Sequence, residues 1–584
     1  MPGTRNGTPP ADAASLLERR LGDPEDPATM LSYARVLDAD RHETFPADPC
    51  GLLDLWGLPD HYVPAEHGGQ LTDYQQLAAL VRTVAGRDLT TAVVHTGTFF
   101  GSACVWASGD DEAARRLAAL VREGHSVALA LSERHHDDDP ITTDVTAWPV
   151  ADGFLLNGEK ALVPGAARAR VLCLLARTGP DSGPRAYSVL LVDKRTLSGG
   201  RCVEAARTPT EGVRGADLSG VLFTDVVAPA GSLVGAQGQG GEIVLKGLQL
   251  VRGITPALSA GAAGNALHLA LSAIRESSGP LPGALADVPL TRRILGECAA
   301  DLLAVDALAT VTARSVHLLP RELSVTSAAA AYLVPAVVGE VLARLVGLFP
   351  QRTGAPALEM LRKAERDHRT VRVLGGSDTA HLYALAAAFR HLARRAGARG
   401  AGVDPAVYDP GAPLPPPRPG DLALVPRDGS ALLAALPGLA RELAETAATT
   451  PALAGAARVA QELGGRAERL RAALPPAVHT LSRLPAASAE QARQVAVCLA
   501  ASACLGMWRH APVLEGRWPD GLWLEPALRR LLRRLGGADT DMVQDGPGSG
   551  GRGFDALADR VADLWAHDGA PCALVPPAGV EGAA

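Results

Sequence analysis

The chain has 584 residues, 47% of them hydrophobic and 20% charged. That is too long for one core and apolar enough for large ones, so two to four domains are expected. A net charge of −7 and a pI near 6.1 argue against a nucleic-acid or anionic-membrane partner. No stretch of about 18 uncharged apolar residues predicts a membrane span. The opening "MPGTRNGTPPADAASLLERR" lacks the apolar core of a signal peptide. The eight cysteines are scattered, with neither a C-x-x-C pair nor metal-ligand spacing. Reduced core thiols in a cytoplasmic protein are the expectation.

In chain order, residues 1–28 read as a loose polar tail. Residues 29–127 are helical in pattern. "YQQLAALVRTVAG" and "DEAARRLAALVREG" repeat apolar residues at three and four spacings, and Asp110 or Asp111 can cap the second helix. Residues 128–236 change character. "SVALALSE", "RVLCLLAR" and "AYSVLLVD" are short β-rich runs, and "WPVADGFLLNGEK" reads as a hairpin, which predicts a small sheet or barrel. Residues 237–401 return to long amphipathic segments, from "EIVLKGLQLVRGITPALSAGAAGNALHLALSAIRES" to "DTAHLYALAAAFRHLARRAG", predicting a four-helix bundle. The Pro-rich segment 402–421 predicts a stiff, solvated spacer. Residues 422–541 form a further helical domain, in which "LRRLLRRLGG" (528–537) reads as a solvated helix face. Residues 542–584 read as a flexible tail with one short helix. The predicted fold class is multidomain and mainly α: a helical N-terminal domain, a small central β-barrel or sheet, a C-terminal four-helix bundle and an extra helical domain.

Local motifs sharpen this order. "GLPDHYVPAEHGG", "ALALSE", "DGFLLNGEKALVPGAARA", "GVRGADLSGVLFTDVVAPAGSLVG", "RESSG" and "RDHRTVRVLGGSDT" occur in succession. Together they resemble the acyl-CoA dehydrogenase family over about residues 50–398. The resemblance implies FAD and removal of two hydrogens from an acyl thioester, carried on CoA or an acyl carrier protein. A glutamate would take the α-proton, and flavin N5 the hydride. It also implies a homo-oligomer, or a heteromer with a related chain, with an electron-transfer flavoprotein as candidate acceptor.

The family places its base at one of two positions. Aligning Arg366–Asp367 puts the first at Gly375; the second, in "LQLVR", is Val251. Neither side chain accepts a proton. Asp378 is the nearest substitute, although its place before a helix suits an N-cap. Asp367 is expected to pair with an arginine, and His135 and His136 to be solvated. On the cofactor side, Leu131 and Ser132 match the strand that meets the flavin, and Ser377 matches the residue that follows the glutamate turn. Arg275 matches the arginine that reaches the FAD pyrophosphate across a dimer interface. Leu162 and Pro164 replace a tryptophan and a hydroxyl residue, and Ser278 an aromatic. "GLFPQ" (347–351) lacks its usual glycines, and Asp137–Asp139 stand where a CoA contact is common. Three readings follow: an acyl-thioester dehydrogenase with a relocated base, a non-catalytic subunit of a heteromeric dehydrogenase, and a flavin monooxygenase on the same fold. Residues 422–584 have no counterpart in the common members and read as a covering module like the added helices of acyl-CoA oxidases. The divergent site hints at a specialised biosynthetic pathway, that is, secondary metabolism.

Overall fold

A computed structural model describes residues 12–133, 141–180, 183, 185–277, 288–349, 355–393, 402–476, 483–536 and 552–568. The N-terminal helices are α1 (Ala13–Leu21), α2 (Tyr33–Arg41), α3 (Ala47–Trp56), α4 (Tyr74–Arg87), α5 (Leu89–Trp106) and α6 (Asp111–Arg122). From Asp12 onward the expected loose tail is ordered instead. Asp12 caps α1 by accepting from the Ser15 N–H at 2.7 Å. Leu17 and Leu21 are buried where α1 meets α4, and Glu18 pairs with Arg87. Asp110 caps α6, accepting from the Glu112 and Ala113 N–H groups, and its second oxygen accepts from Gly235 at 2.9 Å.

Eight strands follow: β1 (Val127–Ala130), β2 (Thr146–Val150), β3 (Gly153–Pro164), β4 (Val171–Arg177), β5 (Tyr187–Asp193), β6 (Ser198–Ala205), β7 (Leu218–Pro229) and β8 (Leu233–Val234). They form one mixed sheet in the order β6-β7-β3-β2-β4-β5-β8, with β1 parallel to β4. The unbroken apolar run of β4 is buried almost throughout, because it has neighbours along both edges and cover on both faces. The polar β6 lies at the sheet edge. The expected β2–β3 hairpin is present. Where β3 pairs with β7 the register shifts between Lys160 and Val163. This bulge holds Leu162 at φ +56°.

Helices α7 (Gly240–Ser277), α8 (Pro289–Leu318), α9 (Leu323–Gly347), α10 (Pro356–Val371), α11 (Asp378–Ala387) and α12 (Phe389–Leu392) follow. α7 packs on α4, α5, α9 and α10, which brings the N-terminal helices against the C-terminal ones. α7 and α9 are long and apolar enough by composition to cross a membrane, contrary to the sequence expectation. Their most apolar windows are 78% and 61% buried inside the protein, as in packed core helices.

The Pro-rich segment 402–421 is not a solvated spacer. It is a strap laid along α8, with Val407 and Tyr408 buried. Buried Arg314 of α8 donates to the carbonyls of Ala406 at 2.7 Å and Ala412 at 2.8 Å. His317 meets the Pro415 carbonyl at 2.8 Å. Beyond the strap lie α13 (Ala431–Ala447), α14 (Ala454–Ala473), α15 (Ala486–His510), α16 (Val513–Arg517), α17 (Leu524–Arg534) and α18 (Arg552–Asp568). α15, α17 and α18 all pack on α8. The arginine-rich run of α17 is therefore not a solvated face. Leu524, Leu528 and Leu531 are buried, and the flanking arginines meet acids of α8 and α9. Arg530 pairs with Asp301 at 2.6 Å and Glu297 at 3.2 Å, and Arg534 with Glu340 at 2.6 Å.

Candidate functional site

Two of the sequence motifs meet in a buried ion pair. Lys160 of "LNGEK" is fully buried and donates to Glu133 of "ALALSE" at 2.7 Å, to Thr143 Oγ1 at 2.8 Å and to the Leu131 carbonyl at 2.9 Å. Burial pulls the Lys160 ammonium down to about 8 despite its partner. The Glu133 carboxyl is desolvated too, yet Lys160 and the Thr143 hydroxyl hold it below its usual range. With the Ala161 N–H donating to the Ser132 carbonyl at 3.2 Å, this network fixes the end of β1. Among the described residues the half-buried Ser132 hydroxyl makes no hydrogen bond. It can therefore accept a flavin contact. Pro164, exposed at the end of β3, cannot donate one.

The two family base positions lie side by side. A Cβ on Gly375 would stand 3.4 Å from Val251 Cγ1, 3.6 Å from Arg252 Cγ and 3.9 Å from Thr255 Cγ2. Gly375 and Gly376 have φ of +81° and +129°, a left-handed turn suited to glycine. Arg252 Nε donates to the Gly375 carbonyl at 3.1 Å. Arg252 is 6% exposed, and burial alone pulls it down to about 10. His381 faces the same turn. Burial, with Arg252 nearby, drives it well below the ordinary imidazole range. Thr255 Oγ1 is buried with no hydrogen-bond partner.

The other carboxylates near this turn are engaged elsewhere. Asp378 pairs with Arg372. The cap of α11 is Ser377, whose hydroxyl accepts from the Ala380 N–H at 3.2 Å, so Asp378 is the first helical residue rather than the cap. Asp367 does contact an arginine, Arg366, at 3.2 Å, but its shorter bond is to Lys363 at 2.6 Å, and it also accepts from the Val213 N–H at 2.9 Å. Lys363 in turn reaches Asp88 at 2.6 Å. Glu365 pairs with Arg369. Arg275 is exposed near the end of α7. His135, His136, Asp137–Asp139 and Ser278 lie outside the described residues, as do Pro350 and Gln351 of "GLFPQ".

Sequence reasoning missed one cluster. Between α3, α5 and the sheet is a cavity of about 310 Å³ whose walls include Asp54, Tyr62, His95, Pro164 and Asp217. Tyr62 Oη lies 2.7 Å from His95 Nδ1, and His95 Nε2 lies 3.2 Å from Asp54. Nothing in "TAVVHTG" marks His95 out, because its partners come from other elements. Val251, Gly375 and Ser132 are not among the cavity walls.

The chain has the fold of an acyl-CoA dehydrogenase from Bacillus anthracis solved in complex with FAD, at TM-score 0.66 and 15% identity, covering 94% of both chains. It shares the fold of the prolyl acyl carrier protein oxidase AnaB at TM-score 0.56 and 17% identity, over 63% of this chain and 95% of that one. Residues 128–226 match the family model for the acyl-CoA dehydrogenase middle domain. Mitochondrial isobutyryl-CoA dehydrogenase of Dictyostelium discoideum is 27% identical over 212 residues, 36% of this chain and half the length of that relative. Over these regions the chain is similar to acyl-CoA dehydrogenases, at low identity and over about half the length of the first relative.

Proposed function

We propose that the chain is an FAD-binding oxidoreductase-type flavoprotein that holds an acyl thioester, on CoA or an acyl carrier protein, without a base of its own at either family position. The observation that carries this reading is the Gly375 turn. The turn accepts from Arg252 and lies against α7, while Gly375 and Val251 leave no carboxylate there. Ser132 would meet the flavin ring. Arg275 would reach the pyrophosphate of an FAD held across an oligomer interface. Bound FAD would supply a hydride acceptor. The chain's own residues would hold the thioester against the Gly375–Ser377 turn.

A second reading, a non-catalytic subunit beside a related catalytic chain, is favoured by the pairing of Asp378, Asp367 and Glu365 with basic side chains. One experiment separates the two. The purified chain, freed of unbound FAD, is examined by visible absorption and then mixed anaerobically with butyryl-CoA. Bound flavin that bleaches supports independent oxidation of the thioester. Bound flavin that does not bleach supports the subunit reading. A folded chain with no flavin band overturns the FAD assignment, and oxygen uptake with a reductase would point to the monooxygenase alternative.

A further inference from the structure

Arg252 is a buried cation without a counter-charge. Its Nε is committed to the Gly375 carbonyl, and it has no other hydrogen bond and no ion pair within the described chain. A guanidinium on a residue only 6% exposed is ordinarily paired, because its desolvation is expensive. Beside it lie the two positions that carry no carboxylate, Gly375 and Val251. Gly375 contributes no side chain, and Val251 presents a methyl group 3.4 Å from where a Gly375 Cβ would stand. Gly376 keeps the approach open: a Cβ there would stand 3.4 Å from Arg252 Nη2. Thr255 borders the same turn through its methyl group, 3.9 Å from where a Gly375 Cβ would stand. Two Nη groups in a planar fork match a carboxylate.

We propose that Arg252 receives a carboxylate carried by the acyl group of the ligand, so that the substrate class is a carboxyacyl thioester rather than a plain fatty acyl one. This rests on the acyl-thioester reading above. The ligand brings to Arg252 the negative charge that none of the described residues supplies.

Isothermal titration of the purified full chain with glutaryl-CoA and butyryl-CoA reads what one carboxylate adds. Glutaryl-CoA is expected to bind at least about tenfold tighter. Arg252→Lys keeps part of that preference and Arg252→Met loses it. Equal affinities in the native chain overturn the proposal, and so does a folded Arg252→Met that keeps the preference. If Arg252→Met does not fold, Val251→Glu takes its place. A carboxylate supplied by α7 then occupies the guanidinium and brings the two affinities together, whereas Val251→Gln leaves them apart. A Val251→Glu chain with the native preference overturns the site. If neither thioester binds, the acyl-thioester reading fails by itself, and thermal shift with butyrate against butyramide decides on Arg252. A Tm rise with butyrate alone, abolished in Val251→Glu, sustains the site, and no rise overturns it.

Discussion

Lys160 is one of the few lysines a fold can bury completely, and it does so because Glu133, Thr143 and the Leu131 carbonyl meet its ammonium on every side. Removing the cation alone strands a carboxylate. Lys160→Met is expected to lower stability by about 3–5 kcal/mol, read by urea unfolding of the full chain. A loss under about 1 kcal/mol, the range of exposed pairs, would mean that water replaces the partner. The Lys160 and Glu133 motifs are legible in the sequence, but their contact is not, since 27 residues separate them. The same limit applies at the site. Gly375 and Val251 can be placed by motif spacing alone. A charged residue inside a helical pattern, such as Arg252, reads by default as solvent-facing, and only the packing of α7 against the Gly375 turn reverses that. Ser377 and Asp378 are both good caps by residue type. The backbone at Ser377, with φ −74° and ψ 165°, assigns the role to Ser377.

Among the elements, the strap shows why composition misleads. A Pro-rich run has few N–H donors and many free carbonyls, which predicts a solvated segment. Those carbonyls also make good acceptors for a buried cation arriving from elsewhere, here Arg314 of α8, 92 residues before Ala406. Arg314→Met is expected to raise amide hydrogen exchange in residues 405–415 at least about tenfold, since hydrogen bonds from a charged group are worth about 1.5–3 kcal/mol each. Unchanged exchange would show that Val407 and Tyr408 hold the strap by themselves. A second test concerns α18. A Cβ on Gly296 would stand 2.0 Å from the Phe554 carbonyl, and Arg293 lies over the Phe554 ring at 4.1 Å. Gly296→Ala should therefore push α18 off α8. Faster exchange across residues 552–568, with α8 itself still protected, is the expected result, and retained protection of α18 would refute it.

For the molecule as a whole, the C-terminal helices are joined to the dehydrogenase-like part by acids of opposite pH behaviour. Glu297 receives Arg293, Arg344 and Arg530, and these hold its carboxyl down at about 2 although burial opposes them. The folded state thus favours the charged form. Its contribution is present above the ordinary value of 4.5 and is lost as pH falls from there toward 2. Glu322 accepts from the Ala431 N–H at 2.7 Å at the start of α13, and burial raises its carboxyl to about 7. Here the folded state favours the protonated form. Its contribution is present below 4.5 and is lost as pH rises from 4.5 to 7. Thermal unfolding across pH 2–8 separates the two. Glu322→Gln keeps an acceptor for Ala431 without an ionisable group, so it should flatten the decline between pH 4.5 and 7 and exceed the native Tm at pH 8. Glu297→Gln should leave that limb alone and remove the acid limb below pH 4.5, at the cost of a lower Tm at neutral pH because the surrounding arginines lose their anion. A native profile with no decline between pH 4.5 and 7 would show that water reaches Glu322. Two limbs abolished by a single substitution would show that the two contacts do not titrate separately.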